Sequence, residues 1–386
     1  MRPCPVCGDE THTNFFHRDF RGMSEIVPFS SYEVVQCDRC GMMFAGNIME
    51  TMPLSAYYAL MSKYETVAYA ASTESNDVKQ SFGNLLLKDI APQASVLDVG
   101  CGEGSLLRFL KAHGIQKVAG LEPSRKNCES LQERWGIRAI CGALGEGVPE
   151  LAGETFDFII LDSVLEHLLP VQEDLQQLLH YLAPYGKLCF VVPNLTAFPD
   201  IHDLYQQFSV EHVNYFTLQS MTNLMRGFGM RCINYGTAGE GLYTLWQHSD
   251  MLPPMQYDEE GVQSMKRYLA QAKALSEDIR QKLEPYRGQD VYIWAAGTHT
   301  AMLYQLGLLE GVHVMAIVDS NANYQGKTIY SVPVIAPEDL YERETLPIII
   351  SSQLAQGAIC TQITERMGLR NEIVTLYGEN QGGAAL

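Results

Sequence analysis

The chain has 386 residues, is 46% hydrophobic and 19% charged, and carries a formal net charge of -18. It is too long for one ordinary core, so two or three domains are expected, and its composition is that of a globular protein. So negative a surface repels a phosphate backbone and argues against a nucleic-acid partner, and no apolar run approaches the ~20 residues of a membrane span. Residues 1–60 read as a short, turn-rich module around Cys4-x2-Cys7 and Cys37-x2-Cys40, with Gly8 and Gly41 directly after the second cysteine of each pair. Two such knuckles supply the four thiolates of a closed tetrahedral Zn2+ site, and with every ligand position filled by cysteine the metal is expected to be structural. The bland alternative is four free or redox thiols. His12 and His17 read as surface residues rather than ligands. The remaining cysteines are scattered, and no signal-peptide core follows Met1, so a reducing, cytoplasmic setting is expected. Tyr57, Tyr58, Tyr64 and Tyr69 are either phenols for a pocket or an aromatic clasp to the next domain.

Residues 61–255 alternate apolar strands with helical patterns, as parallel sheets do. Strands are expected at 95–99, 117–121, 137–140, 156–161 and 187–192, with a further pair at 230–235 and 242–247. The first strand enters Asp98-Val99-Gly100-Cys101-Gly102-Glu103-Gly104, and the second ends at an acid, Glu122. Glycines in such a turn let the backbone come into contact with a ligand, where a Cβ would clash. The spacing is not the G-x-G-x-x-G of dinucleotide sites. Gly142, Ala143 and Leu144 follow the third strand, and Asp162 at the end of the fourth opens Asp162-Ser163-Val164-Leu165-Glu166-His167-Leu168. Glu166 and His167 read there as helix start and pocket wall rather than as catalysts. After the fifth strand comes Phe208-Ser209-Val210-Glu211-His212-Val213-Asn214-Tyr215-Phe216, a convergence of base, carboxylate and phenol before a helix over 218–228.

Residues 256–288 carry Val262, Met265, Leu269, Ala272, Ile279 and Leu283 at helical spacing, closed by Pro285 and Gly288, and read as a connecting helix with a core-facing stripe. Residues 289–386 begin a second α/β unit with strands in 290–294, 313–318 and 347–351. Gly297 is the one glycine of its first turn, which disfavours a nicotinamide dinucleotide there.

The Asp98-to-Gly104 loop with Glu122 resembles the S-adenosylmethionine (SAM) site of class I methyltransferases. The resemblance implies a Rossmann-like α/β fold in which Asp98, Gly100, Gly102, Gly104, Glu122, Ala143, Leu144 and Asp162 line the cofactor, with Glu122 accepting from the ribose. Taken with the four-cysteine module, the Glu-His-x-x-Tyr-Phe segment and the C-terminal α/β domain, nearly the whole chain resembles sugar C-methyltransferases acting on nucleotide-linked 4-keto-6-deoxy sugars. That resemblance implies His212 as the base that removes the proton next to the ketone, with Glu211 and Tyr215 beside it. Two positions depart from the family. Ser209 stands where tyrosine is usual, and Gly297-Thr298-His299-Thr300 lacks the usual lysine, for which His299 is the substitute cation. Methylation of oxygen or nitrogen in another small metabolite is the alternative, and a methyltransferase-like binding module without turnover is the third reading.

Overall fold

The computed structural model describes residues 1–23, 27–50, 82–145 and 147–378. The tyrosines at 57, 58, 64 and 69 and the expected boundary at 60/61 lie outside them. Near the N-terminus, β1 (His12–Asp19), β2 (Phe29–Cys37) and β3 (Met43–Glu50) form an antiparallel sheet. The central sheet takes β4 (Ser95–Val99), β5 (Lys117–Glu122), β6 (Arg138–Cys141), β7 (Phe156–Asp162) and β8 (Leu182–Pro193). β9 is only Asn214–Tyr215, and it leaves the central sheet to pair with β3 at the edge of the N-terminal sheet. β10 (Met230–Ala238) and β11 (Gly241–His248) then return to the central sheet.

The central order is β10-β11-β8-β7-β4-β5-β6, parallel from β6 to β8, with β11 antiparallel to β8 and β10 antiparallel to β11. The edge pair therefore forms as its patterning implied. From β4 the chain winds outward to β5 and β6, and from β7 it winds the other way to β8. The carboxyl ends of neighbouring β4 and β7 thus flank the crevice where doubly wound sheets bind ligands.

Helix Glu259–Leu283 follows from its sequence. Asp258 caps it by accepting from Gly261 N at 3.0 Å, Glu259 and Glu260 lie in the first turn, and Arg280 and Lys282 lie in the last. Of the expected stripe, Val262, Met265, Ala272, Ile279 and Leu283 are buried and Leu269 is half-buried, and Tyr268 joins the buried face. This face packs into one apolar core with Phe29, Tyr32 and Met43 of the N-terminal sheet, Phe208 and Tyr215 of the segment before β10, and Ile293 and Ile317 of the C-terminal sheet.

The C-terminal sheet has β12 (Asp290–Trp294), β13 (His313–Val318), β14 (Thr328–Ile329), β15 (Val332–Ile335), β16 (Ile348–Ile350) and β17 (Ile373–Thr375), in the order β14-β15-β13-β12-β16-β17. β14, β15 and β17, of two to four residues, escaped the sequence reading, whereas the equally short β16 was marked by its continuous Ile348-Ile349-Ile350 run. His299 corrects an expectation. It is 6% exposed, its Nδ1 lies 2.9 Å from Ser351 Oγ, and its Nε2 meets the Tyr377 hydroxyl. Burial, assisted by the Arg18 charge, holds it at about 3, so at neutral pH it is an uncharged core residue and no substitute for a lysine.

A proton taken up by His299 on unfolding makes stability fall with acid. The folded value of about 3 lies below the ordinary 6.5, so stability should be full above pH 6.5 and decline from there toward pH 3. Urea midpoints measured across that window should show the decline, and His299→Gln should flatten it; an unchanged pH slope in the variant would refute the assignment.

Candidate functional site

The glycine turn is organised by Glu122. One of its carboxylate oxygens accepts from Gly102 N at 2.9 Å and the other from Ser124 N at 2.9 Å, so a single buried acid ties the turn after β4 to the helix after β5. The three glycines of the turn do different work. A Cβ on Gly100 would meet Val164 Cγ2 at 2.5 Å and one on Gly104 would meet Leu131 Cδ2 at 2.2 Å, so both serve packing behind the turn. A Cβ on Gly102, where φ is +53°, would meet nothing within 4 Å. Gly102 is thus the position where backbone faces space that a ligand can fill. Asp98 is buried at the end of β4, Asp162 ends β7, and Ala143 and Leu144 lie just beyond β6, so the expected cofactor residues all gather at the carboxyl edges of adjacent strands.

A short turn at Leu165–His167 follows β7. The segment carrying His212 is bound to it. Val213 N donates to Glu166 O at 2.9 Å, and Asn214 Nδ2 donates to Leu168 O at 2.7 Å and Leu165 O at 3.2 Å. Arg2 completes the clamp, with Nη2 donating to Asn214 Oδ1 and Val213 O at 2.7 Å each, Nη1 to Leu169 O at 3.0 Å and Nε to Ala45 O at 2.7 Å. Its burial lowers it to about 10, which still leaves a cation at neutral pH.

This clamp brings His212 against His167, with ring centroids 5.0 Å apart at 81°, and Glu166 Oε1 lies 3.7 Å from His167 Nε2. The sequence reading treated His167 as wall; the fold makes it the neighbour of the candidate base. Ser209, where a phenol was looked for, has its own use: its Oγ accepts from Glu211 N at 3.2 Å and His212 N at 3.0 Å and so fixes the turn that presents His212. Glu211 is buried beside it. Tyr215 points elsewhere, 1% exposed among aromatic rings, with the centroid of Phe208 at 5.6 Å and that of Phe198 at 6.2 Å. Arg2 and Asn214 had no sequence signal beyond residue type, although Asn214 lies inside the motif already singled out.

At the end of the N-terminal sheet where β2 finishes and β3 begins, Cys4, Cys7, Cys37 and Cys40 present sulfurs all within 4.8 Å of one another, with Cys4 and Cys40 at 3.6 Å and Cys7 and Cys37 at 3.5 Å. A tetrahedron with ~2.3 Å metal–sulfur bonds has edges of roughly 3.8 Å, so the four thiols fit a zinc ion. Hydrogen bonds from the neighbouring sulfurs hold Cys37 far below the thiol range, while Cys4 and Cys40 are pushed above it by theirs to Cys37.

Residues 73–235 match a sequence family described as "Methyltransferase domain". The strand order and the turn after β4 agree with that match. The central unit is a class I SAM-dependent methyltransferase fold. Among curated proteins, the methyltransferase unit is similar to human ubiquinone biosynthesis O-methyltransferase, mitochondrial, with 29% identity over 164 residues, covering 37% of this chain and 43% of that protein. It is also similar to the bifunctional methionine biosynthesis protein MetXA/MetW of Rhodopirellula baltica, 31% identical over 102 residues, covering 24% of this chain and 16% of that protein. The chain thus spans less than half the length of these relatives. Among solved structures, magnesium protoporphyrin IX methyltransferase from Synechocystis aligns at 15% identity and a TM-score of 0.39 over 51% of this chain and 95% of that one. Among the described residues no helix is long and apolar enough to cross a membrane.

Filling the space at Gly102 should abolish occupancy of the turn. Gly102→Val is expected to weaken SAM binding tenfold or more, roughly 1.4 kcal/mol, in calorimetric titration. A variant with native circular dichroism and unchanged affinity would remove this turn from the cofactor site.

Proposed function

We propose that the protein is a SAM-dependent methyltransferase that places a methyl group on carbon in a nucleotide-linked 4-keto-6-deoxy sugar. The observation that supports this best is the clamped pairing of His212 with His167 and Glu166 in the turn that follows β7, the strand next to β4 and its glycine turn. In this reading Asp98, Gly102, Glu122, Ala143, Leu144 and Asp162 hold SAM, which when bound supplies an electrophilic methyl group, and Gly100 and Gly104 let the turn pack closely behind it. A ketone acidifies the neighbouring C–H. An imidazole nitrogen of His212 takes that proton, and the enolate carbon becomes the nucleophile. His167, backed by the Glu166 carboxylate, offers the N–H that an enolate oxygen needs. Glu211 and Ser209 set the turn from which His212 projects, and Tyr215 anchors the segment in the aromatic core. A cytoplasmic setting and a small-molecule acceptor belong to the same reading.

Oxygen methylation is the second reading, favoured by the name of the human relative, an O-methyltransferase, and by the burial of Tyr215 away from solvent. The two separate in D2O. With labelled SAM and a 4-keto-6-deoxy nucleotide sugar, NMR should show deuterium exchange beside the ketone and a carbon-bound methyl. His212→Ala should retain SAM binding while both signals fall by roughly a hundredfold or more. An oxygen-bound methyl would establish the second reading, and full exchange in the variant would exclude His212 as the base.

We further propose that the four thiols hold a structural Zn2+. The carbonyl of Cys40 accepts from Asp258 N at 2.9 Å, and Asp258 Oδ2 accepts from the Thr217 hydroxyl at 2.5 Å, so the metal-bound turn leads through one residue to the end of the His212 segment. Removing the metal with a strong chelator should lower the melting temperature by several degrees, about what a loss of 1–2 kcal/mol produces, and weaken transfer with it. A metal-free protein with the native melting temperature would refute the structural role.

A further inference from the structure

We propose that Glu166, His167 and His212 form a second metal site, distinct from the four thiols, which takes a borderline divalent ion such as Zn2+ or Co2+ and thereby switches the candidate base off. One ligand atom from each of the three side chains lies within 4.8 Å of those of the other two, the spread that one ion can bridge with small rotamer changes. The Glu166–His167 separation of 3.7 Å is already close to that between two donors of one ion at ~2.1 Å. Two imidazoles and a carboxylate are a set that holds Zn2+ with three protein ligands, whereas the four-thiolate set closes its ion off. Preorganisation strengthens the case. Glu166 and His167 share one short turn, and the Asn214–Arg2 clamp delivers His212 to them, so little chain entropy is lost on coordination. The Glu166 side chain is 1% exposed and that of His167 10%, and in such a setting a dication interacts with a carboxylate far more strongly than it does in water.

Coordination and proton abstraction need the same lone pair on His212. An ion seated on the three residues therefore leaves no base for the C–H proton. This consequence rests on the assignment of His212 under the proposed function; the binding itself does not.

The test uses the full-length protein with its thiol site loaded with Zn2+, titrated with Co2+. One further equivalent per chain should bind and give weak visible d–d bands without the intense near-ultraviolet charge transfer of cobalt thiolates. His167→Gln and His212→Gln, each checked for native SAM affinity, should lose that equivalent and its bands. In the unsubstituted enzyme, transfer should fall in step with the bands and recover when a mild chelator strips the second ion. No uptake beyond the thiol site, or uptake that survives both substitutions, would overturn the site. Uptake that leaves transfer unchanged would uphold the site and overturn both its inhibitory action and the role of His212 as base.

Discussion

The arrangement hinges on Asn214. Its amide nitrogen bonds the carbonyls of Leu165 and Leu168, its oxygen accepts from Arg2, and its backbone pairs with Phe44 in the N-terminal sheet. One side chain therefore measures the distance between the turn that carries His167 and the strand that follows His212. Arg2 makes the same measurement from the other direction by bonding Ala45, Leu169 and Val213 carbonyls. A buried guanidinium carries a desolvation penalty that only a full set of acceptors offsets. Here the acceptors are carbonyls of three separate segments, so the penalty can be met only when all three are in place. That is how a charge with no acidic partner within hydrogen-bond reach among the described residues specifies geometry rather than simple stability.

Arg18 repeats the device one layer away. Its Nε donates to Phe208 O at 3.1 Å, Nη2 to Thr298 O at 3.1 Å and Nη1 to Gln305 Oε1 at 2.8 Å, while the guanidinium lies over the Phe20 ring. It ties the N-terminal sheet to both the start of the His212 segment and the first turn of the C-terminal unit. A three-stranded antiparallel sheet is too small to bury a core of its own. It gains one by adopting β9 as its fourth strand and by packing on helix Glu259–Leu283. The N-terminal module and the candidate site are therefore parts of one packing problem: the strand that completes the sheet is the one next to His212.

The sequence made the central sheet readable because its strands are long apolar runs between clear turns, and a glycine-rich turn with a following acid has few other physical uses. The four-cysteine spacing was equally plain. What could not be read was direction. Glu211, His212 and Tyr215 are all of types that chemistry favours, yet a two-residue strand sends neighbours to opposite faces. Asn214 faces the Leu165–His167 turn and Tyr215 faces the aromatic core, so the residue singled out as a phenol lies buried among rings, and the one passed over holds the His212 segment to that turn. His299 misled for a related reason. Its chain neighbours suggest an exposed turn, and only the distant Ser351 and Tyr377 disclose that the turn is covered. Arg2 is two residues from a cysteine knuckle, and nothing local marks it as buried.

Glu122 shows how preorganisation extends to the cofactor side. An ionised carboxylate has about four lone-pair directions, and two are taken by Gly102 N and Ser124 N. Both bonds run to backbone at the carboxyl edge of the sheet, one in the turn after β4 and one at the start of the helix after β5. The orientation of the acid is therefore set by the fold itself, and the same bonds fix the position of the turn at Gly102. The two regions follow one physical rule. On one, a carboxylate is fixed by backbone N–H groups; on the other, a guanidinium and an amide are fixed by backbone carbonyls. The polar side chains of both regions are placed by main chain that secondary structure has already made rigid, so little further ordering is needed to hold them where they stand.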